Sequence, residues 1–174
     1  MSRVKPLGVI ALLSLALAGA AGPPGGAASG QSGVTGPQEV EVVAAYIDPG
    51  AQAPVVILRG KRDQRVFRMV IGPAELGAIA IPLNGMTPPR PLTHDLFLTL
   101  FGRLKVALVR VVITDLRDDI YYATVVFIAN GSEFSLDARP SDAIALAIRA
   151  KVPVLVEDRV FEKGGPPAQR RPAI

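Results

Sequence analysis

The stretch Asp137-Ala-Arg-Pro-Ser-Asp-Ala-Ile-Ala-Leu-Ala-Ile-Arg149 decides how this chain folds. It opens where an alternating strand ends. Phe134, Leu136 and Ala138 point one way, and Glu133, Ser135 and Asp137 the other. Pro140 suits a first helical position, where its missing N–H costs nothing. Asp142 follows in the first turn, where a carboxylate meets free amide N–H groups and the positive end of the helix dipole. From Ala143 to Ile148 the helix is apolar all round, which predicts burial. Polar groups are thus gathered at one strand-to-helix junction, with packing behind it.

That junction has an earlier counterpart. At an offset of 67 residues, Gly72-Pro-Ala-Glu-Leu-Gly-Ala-Ile-Ala-Ile81 lies over Arg139-Pro-Ser-Asp-Ala-Ile-Ala-Leu-Ala-Ile148, pairing Pro73 with Pro140 and Glu75 with Asp142. The same offset pairs Phe67 with Phe134 and Met69 with Leu136. It points to a pseudo-duplicated unit of three strands and a helix.

Around the two junctions the patterns predict strands at Val40–Ile47, Val55–Leu58 and Val66–Ile71, then a helix from Pro73 to about Leu83. A second helix is expected after Thr93, whose hydroxyl suits an N-cap, with Asp95 in its first turn. Leu96, Leu100 and Leu104 recur there at helical spacing. Strands return at Val106–Thr114, Ile120–Ile128 and Glu133–Ala138, and Asn130-Gly131 is a two-residue hairpin signal. A short strand at Val154–Val156 and a helical turn near Phe161 follow the buried helix. The fold class expected is α+β, with mainly antiparallel strands packed against buried helices.

Arg3 and Lys5 precede an apolar run from Leu7 to Ala18, followed by small residues. The run falls short of the ~20 residues that span a bilayer and reads as a secretory signal cleaved on export to the periplasm or medium. Residues 1–30 are therefore assigned to signal and small-residue linker, 31–37 to further linker, 38–164 to the folded domain, and 165–174 to a disordered basic tail. With no cysteine, disulfides, thiolate metal sites and thiol nucleophiles are excluded.

The net charge of +4 does not itself point to nucleic acid. Arg3, Lys5, Arg170 and Arg171 lie outside the domain, and without them fifteen basic residues face fifteen acids. Arg59, Lys61, Arg62, Arg65 and Arg68 cluster around a hairpin turn, as either a phosphate-tracking patch or a solvated turn. The absence of Trp and the scarcity of aromatics weigh against a stacking platform for bases.

No phosphate-binding glycine loop, nucleophile elbow or HExxH pair is present, and His94 is the single histidine. What remains is a set of carboxylates and cations at helix starts: Glu75; His94 and Asp95; Asp137, Arg139 and Asp142. Carboxylates can hold Mg²⁺ or Mn²⁺ through oxygen, Arg139 can clamp a phosphate, and His94 can move a proton near neutral pH. Each also has a structural reading. Glu75, Asp95 and Asp142 suit helix starts, and Arg139 can pair with Asp137 or Asp95.

Three motifs in order narrow these alternatives. Ile71-Gly-Pro-Ala-Glu75, Pro89-Arg-Pro-Leu-Thr-His-Asp-Leu96 and Asp137 to Arg149 together resemble the bifunctional nuclease domain family, found in bacteria and plants. The resemblance covers about Glu39 to Lys163. It departs at Phe67-Arg-Met69, where the family tends to carry a Leu-Pro-Ile-like run. It implies phosphodiesterase activity on RNA and DNA, with the polar motif residues as candidates. His94, Asp95 and Asp142 are the catalytic candidates, Arg139 and Arg90 the substrate-binding ones. Asp137, Asp142 and Glu75 are the candidate ligands for Mg²⁺ or Mn²⁺. The expectation is an exported nuclease-like domain acting on RNA or single-stranded DNA. The alternative is a non-catalytic envelope module that binds a protein or small anion.

Overall fold

Two antiparallel meanders and a late strand wedged between them make up the sheet. The structure, a computed structural model, describes residues 36–164. The first meander is β1 (Gln38–Asp48), β2 (Ala53–Gly60) and β3 (Val66–Val70), followed by helix α1 (Pro73–Leu83). Helix α2 (Thr93–Arg103) leads to β4 (Val106–Arg117), β5 (Ile120–Ala129) and β6 (Ser132–Ala138), followed by helix α3 (Pro140–Ala150). Strand β7 (Val154–Val156) and helix α4 (Asp158–Gly164) complete the order. The seven strands lie as β3-β2-β1-β7-β4-β5-β6. Every neighbouring pair is antiparallel except β4 with β7. The class is α+β, as the pattern indicates. The expected signal segment, most of the linker and the basic tail lie outside the described residues.

Turn chemistry sets the hairpins. Asp118 and Asp119, at φ 49° and 62°, form the two-residue turn between β4 and β5. Asn130 and Gly131, at φ 51° and 78°, do the same between β5 and β6. Two consecutive positive φ values match the right-handed strand twist, and short polar side chains tolerate them. Asp48 Oδ1 accepts the Gly50 and Ala51 N–H groups at the first hairpin.

Helix α3 sits at the centre of the core. Pro140 occupies its first turn, and Ala143, Ile144, Ala145 and Ala147 have no exposed surface. It packs against α1, α2, β4 and β5. Lys151, in the left-handed conformation, ends it, and Pro153 prevents its continuation. The chain then returns as β7 between β1 and β4. On the first-meander side, Val56, Leu58, Phe67 and Met69 belong to the same core.

Three expectations change. Thr93 is the first helical residue of α2 and Leu92 is its cap. Asp95 reaches back to accept the Leu92 N–H at 2.8 Å, the acidic half of a capping box, while no side chain caps the first turn in the way expected of the Thr93 hydroxyl. Helix α2 is not buried: Leu96, Leu100 and Leu104 face outward, while Leu98 and Phe101 pack against the core. Phe134 and Leu136 on β6 are also exposed, because α3 covers the inner strands and stops short of this edge.

The duplication is not established by the fold. Each half is a meander followed by a helix that opens on proline. The constant offset, however, does not preserve strand register. Val55 pairs with Val70, which would map onto Tyr122 with Asp137, yet Asp137 pairs with Thr124. Phe67 and Met69 are buried where Phe134 and Leu136 are exposed.

Candidate functional site

The two proline-initiated helices and α2 start beside one another, and their first turns supply the site. Glu75 is the third residue of α1, Asp142 the third of α3, and His94 the second of α2. Arg139, at the cap of α3, joins them. Its Nη1 forms an ion pair with Glu75 Oε1 at 2.7 Å, while its Nε donates to Asp142 Oδ2 at 2.7 Å and its Nη2 to Asp142 Oδ1 at 3.1 Å. Gly72 leaves room for this arrangement, since a Cβ there would collide with Glu75 Oε2. On the far side of Asp142, His94 Nε2 stands 3.3 Å from Oδ1, with the imidazole mostly buried.

The result is a continuous line, Glu75–Arg139–Asp142–His94, drawn from three helix starts. Burial works against the Asp142 charge, but the Arg139 hydrogen bonds and charge, with His94 behind them, hold its carboxyl below the ordinary range. The hydrogen bond to Asp142 likewise strengthens the hold of Arg139 on its proton. Arg139 remains 66% exposed. Three of its five N–H donors are engaged, so donors remain for an anion.

Two recesses meet at this line. One, of about 680 Å³, is lined by Glu75, Arg139, Pro91, Leu92, His94 and Asp142 among others. The other, of about 310 Å³, is apolar and lined by Phe97, Val125, Phe127, Leu136 and Leu146, with Asp137 present. Thr93, His94 and Asp142 belong to both.

Glu75, His94, Arg139 and Asp142 are brought together; Asp95 is not. Its Oδ1 accepts from Arg149 Nε at 2.9 Å while its Oδ2 takes the α2 cap, and it lines neither recess. Arg139 pairs with Glu75 and Asp142, neither of which was the partner expected for it. Asp137 makes no ion pair or side-chain hydrogen bond among the described residues, and neither does exposed Arg90, which stands in the loop before α2. Among the described residues no three His, Asp or Glu side chains group closely enough to hold a metal ion. Glu75 and Asp142 share a guanidinium instead of a common centre, so this donor set forms no ready-made Mg²⁺ or Mn²⁺ cage.

The basic hairpin resolves as ion pairs. Arg59 pairs with Glu41, Lys61 with Glu39, Arg62 with Asp158, Arg65 with Asp63 and Asp158, and Arg68 with Asp48. A carboxylate on each cation leaves little free charge to follow a phosphate backbone.

Sequence reasoning missed Arg149 and the aromatic lining. Arg149 carries little local clue, because apart from the Ala145 carbonyl its partners are 54 and 71 residues away. Phe97, Phe101, Phe127 and Phe134 form an unbroken series, with successive ring centroids 4.3, 4.7 and 5.4 Å apart. Two of the six phenylalanines, Phe97 and Phe127, line the recess and two more pack against them, a concentration that composition conceals.

An α+β domain with polar helix starts converging on a paired histidine and aspartate is the class that fold and site define. The chain belongs to the bifunctional nuclease domain family: residues 56–169 match that domain. An uncharacterized protein of Mycobacterium tuberculosis is 39% identical over 127 residues, covering 73% of this chain and 76% of the relative. "Bifunctional nuclease 1" of Oryza sativa subsp. indica is 35% identical over 86 residues, covering 48% of this chain but 26% of the rice protein. A "Bifunctional nuclease" of Oryza minuta has the same identity and coverage.

Proposed function

We propose that this chain is an exported nuclease that hydrolyses phosphodiester bonds of RNA or single-stranded DNA at the His94–Asp142 pair. The observation that carries the reading is that pair, 3.3 Å apart at the meeting point of two recesses and beside a guanidinium with spare donors. With Asp142 accepting the Nε2 proton, Nδ1 holds the lone pair and is the general base. Water gives a proton to His94 as its oxygen bonds to phosphorus and the bond to the leaving oxygen breaks; the leaving oxygen takes a proton from solvent, and His94 returns its own to solvent. Arg139 donates to a non-bridging oxygen, where charge develops. Glu75 positions Arg139, and Asp95 acts through the placement of α2. Arg90, in the exposed loop before α2, supplies further charge toward the nucleic-acid backbone.

Family membership and the names of the plant relatives support the reaction class. A divalent ion, Mg²⁺ or Mn²⁺, would be recruited with substrate phosphate oxygens, which complete the coordination that these carboxylates alone do not. Export rests on the basic start and short apolar run of the first residues.

The test is cleavage of end-labelled RNA and single-stranded DNA by the purified chain, with Mg²⁺, with Mn²⁺ and with chelator. Turnover in any of these supports the reading. A folded chain inactive in all three contradicts it and leaves a binding module for a small anion. The exposure and spare donors of Arg139 are the observation that favours that second reading.

A further inference from the structure

We infer that the apolar recess beside the His94–Asp142 pair is a nucleobase pocket, selective for single strands. The inference rests on the nuclease reading and adds a subsite to it. The recess, at about 310 Å³, is at the small end of the range for small organic ligands, about 300–1,000 Å³. It has room for one splayed-out base. A base in a duplex would have to leave its stack to enter, which favours substrates already single-stranded.

The lining has the chemistry that a base requires. Phe97 is 40% exposed and Leu136 46% exposed, so a flat apolar group arriving there covers surface now in water. Phe97 packs on Phe101, which in turn meets Phe127 edge-on, so the two lining rings are held through a third. Such a surface stacks with any base and accounts for affinity, not discrimination. Asp137 pairs with Thr124, on the opposite face of β6 from Leu136, and Asp142 is engaged by Arg139 and His94, so a base is held here by stacking and not read at its edge.

Continuity with the catalytic line fixes the orientation. Thr93, His94 and Asp142 form the wall common to both recesses, and Arg139 lines the wider one. A nucleotide with its base in the apolar recess places its phosphate toward that wall, where Arg139 has spare donors. The rest of the strand then follows the wider recess.

Binding of AMP, CMP and UMP to the full chain, measured by calorimetry, tests this without requiring turnover. The expected result is saturable binding of all three with similar affinity, because stacking tolerates any base. Phe97→Ala should weaken all three by about fivefold or more, the low end of base stacking. The Phe97 side chain is exposed, so the variant should fold. Binding unaffected by Phe97→Ala, or no saturable binding at all, overturns the inference even if the chain cleaves RNA. Binding that is lost with Phe97→Ala in a chain that never cleaves RNA supports the pocket while refuting catalysis.

Discussion

Arg149 Nε donates to Asp95 Oδ1 at 2.9 Å, tying the last turn of α3 to the first turn of α2. The guanidinium also donates to the carbonyls of Ala78 on α1 and Ala145 on α3, and its side chain is only 7% exposed. One buried cation therefore fixes three helices, two of which present His94 and Asp142 to each other. Arg149→Ala should cost about 3–5 kcal/mol in urea unfolding, the usual consequence of breaking a buried charged network. A loss below about 1 kcal/mol would show that Arg149 is not the pin between them.

Asp142 gives a pH dependence of definite sign. Its carboxyl is held below the ordinary value, so the folded state binds this proton less readily than the unfolded chain. The stabilisation is fully present above the unfolded value of about 3.9 and is lost as pH falls through the folded value. Melting curves of the parent and Asp142→Asn should differ most near neutrality and converge in acid. A difference that stays constant down to the lowest pH would mean that the Arg139 pairing contributes no net stability.

The helix at the centre of the core should be intolerant of truncation. Ile144 has no exposed surface, and the neighbouring alanines leave little scope for collapse around a void. Ile144→Ala should destabilise by about 2–5 kcal/mol in denaturant melts. A cost under about 1 kcal/mol would contradict the central placement of α3.

Local physics made the junctions legible. Pro73, Pro140, Glu75 and Asp142 sit where a helix start favours them, and Asn130-Gly131 turns the chain as its φ values demand. The partners of these groups were not legible. Arg139 is three residues from Asp142, a spacing any helix start offers, but its bond to Glu75 depends on α1 packing beside α3. The outward Leu96–Leu100–Leu104 stripe was misleading for a related reason. Helical spacing marks an apolar face but does not identify what covers it, and α2 uses Leu98 and Phe101 for the core. Nothing local announced that β7 would separate β1 from β4, since three residues of strand carry no address.

Export makes a prediction about mass. Protein recovered from its host should begin between Gly19 and Ser29, where small residues follow the apolar run. Intact mass spectrometry decides it, and recovery of all 174 residues in the membrane fraction would contradict cleavage.

The central claim is that the His94–Asp142 pair moves the proton in phosphodiester hydrolysis. The direct measurement is kcat/KM for single-stranded RNA cleavage by Asp142→Asn, made beside its melting temperature and that of the parent. The amide can still accept from Arg139 but no longer supports a charged His94. Activity should fall by about 100-fold or more, the range for a lost acid–base function, while melting near neutral pH shifts by only a few degrees. Cleavage retained at the parent's rate would contradict the claim.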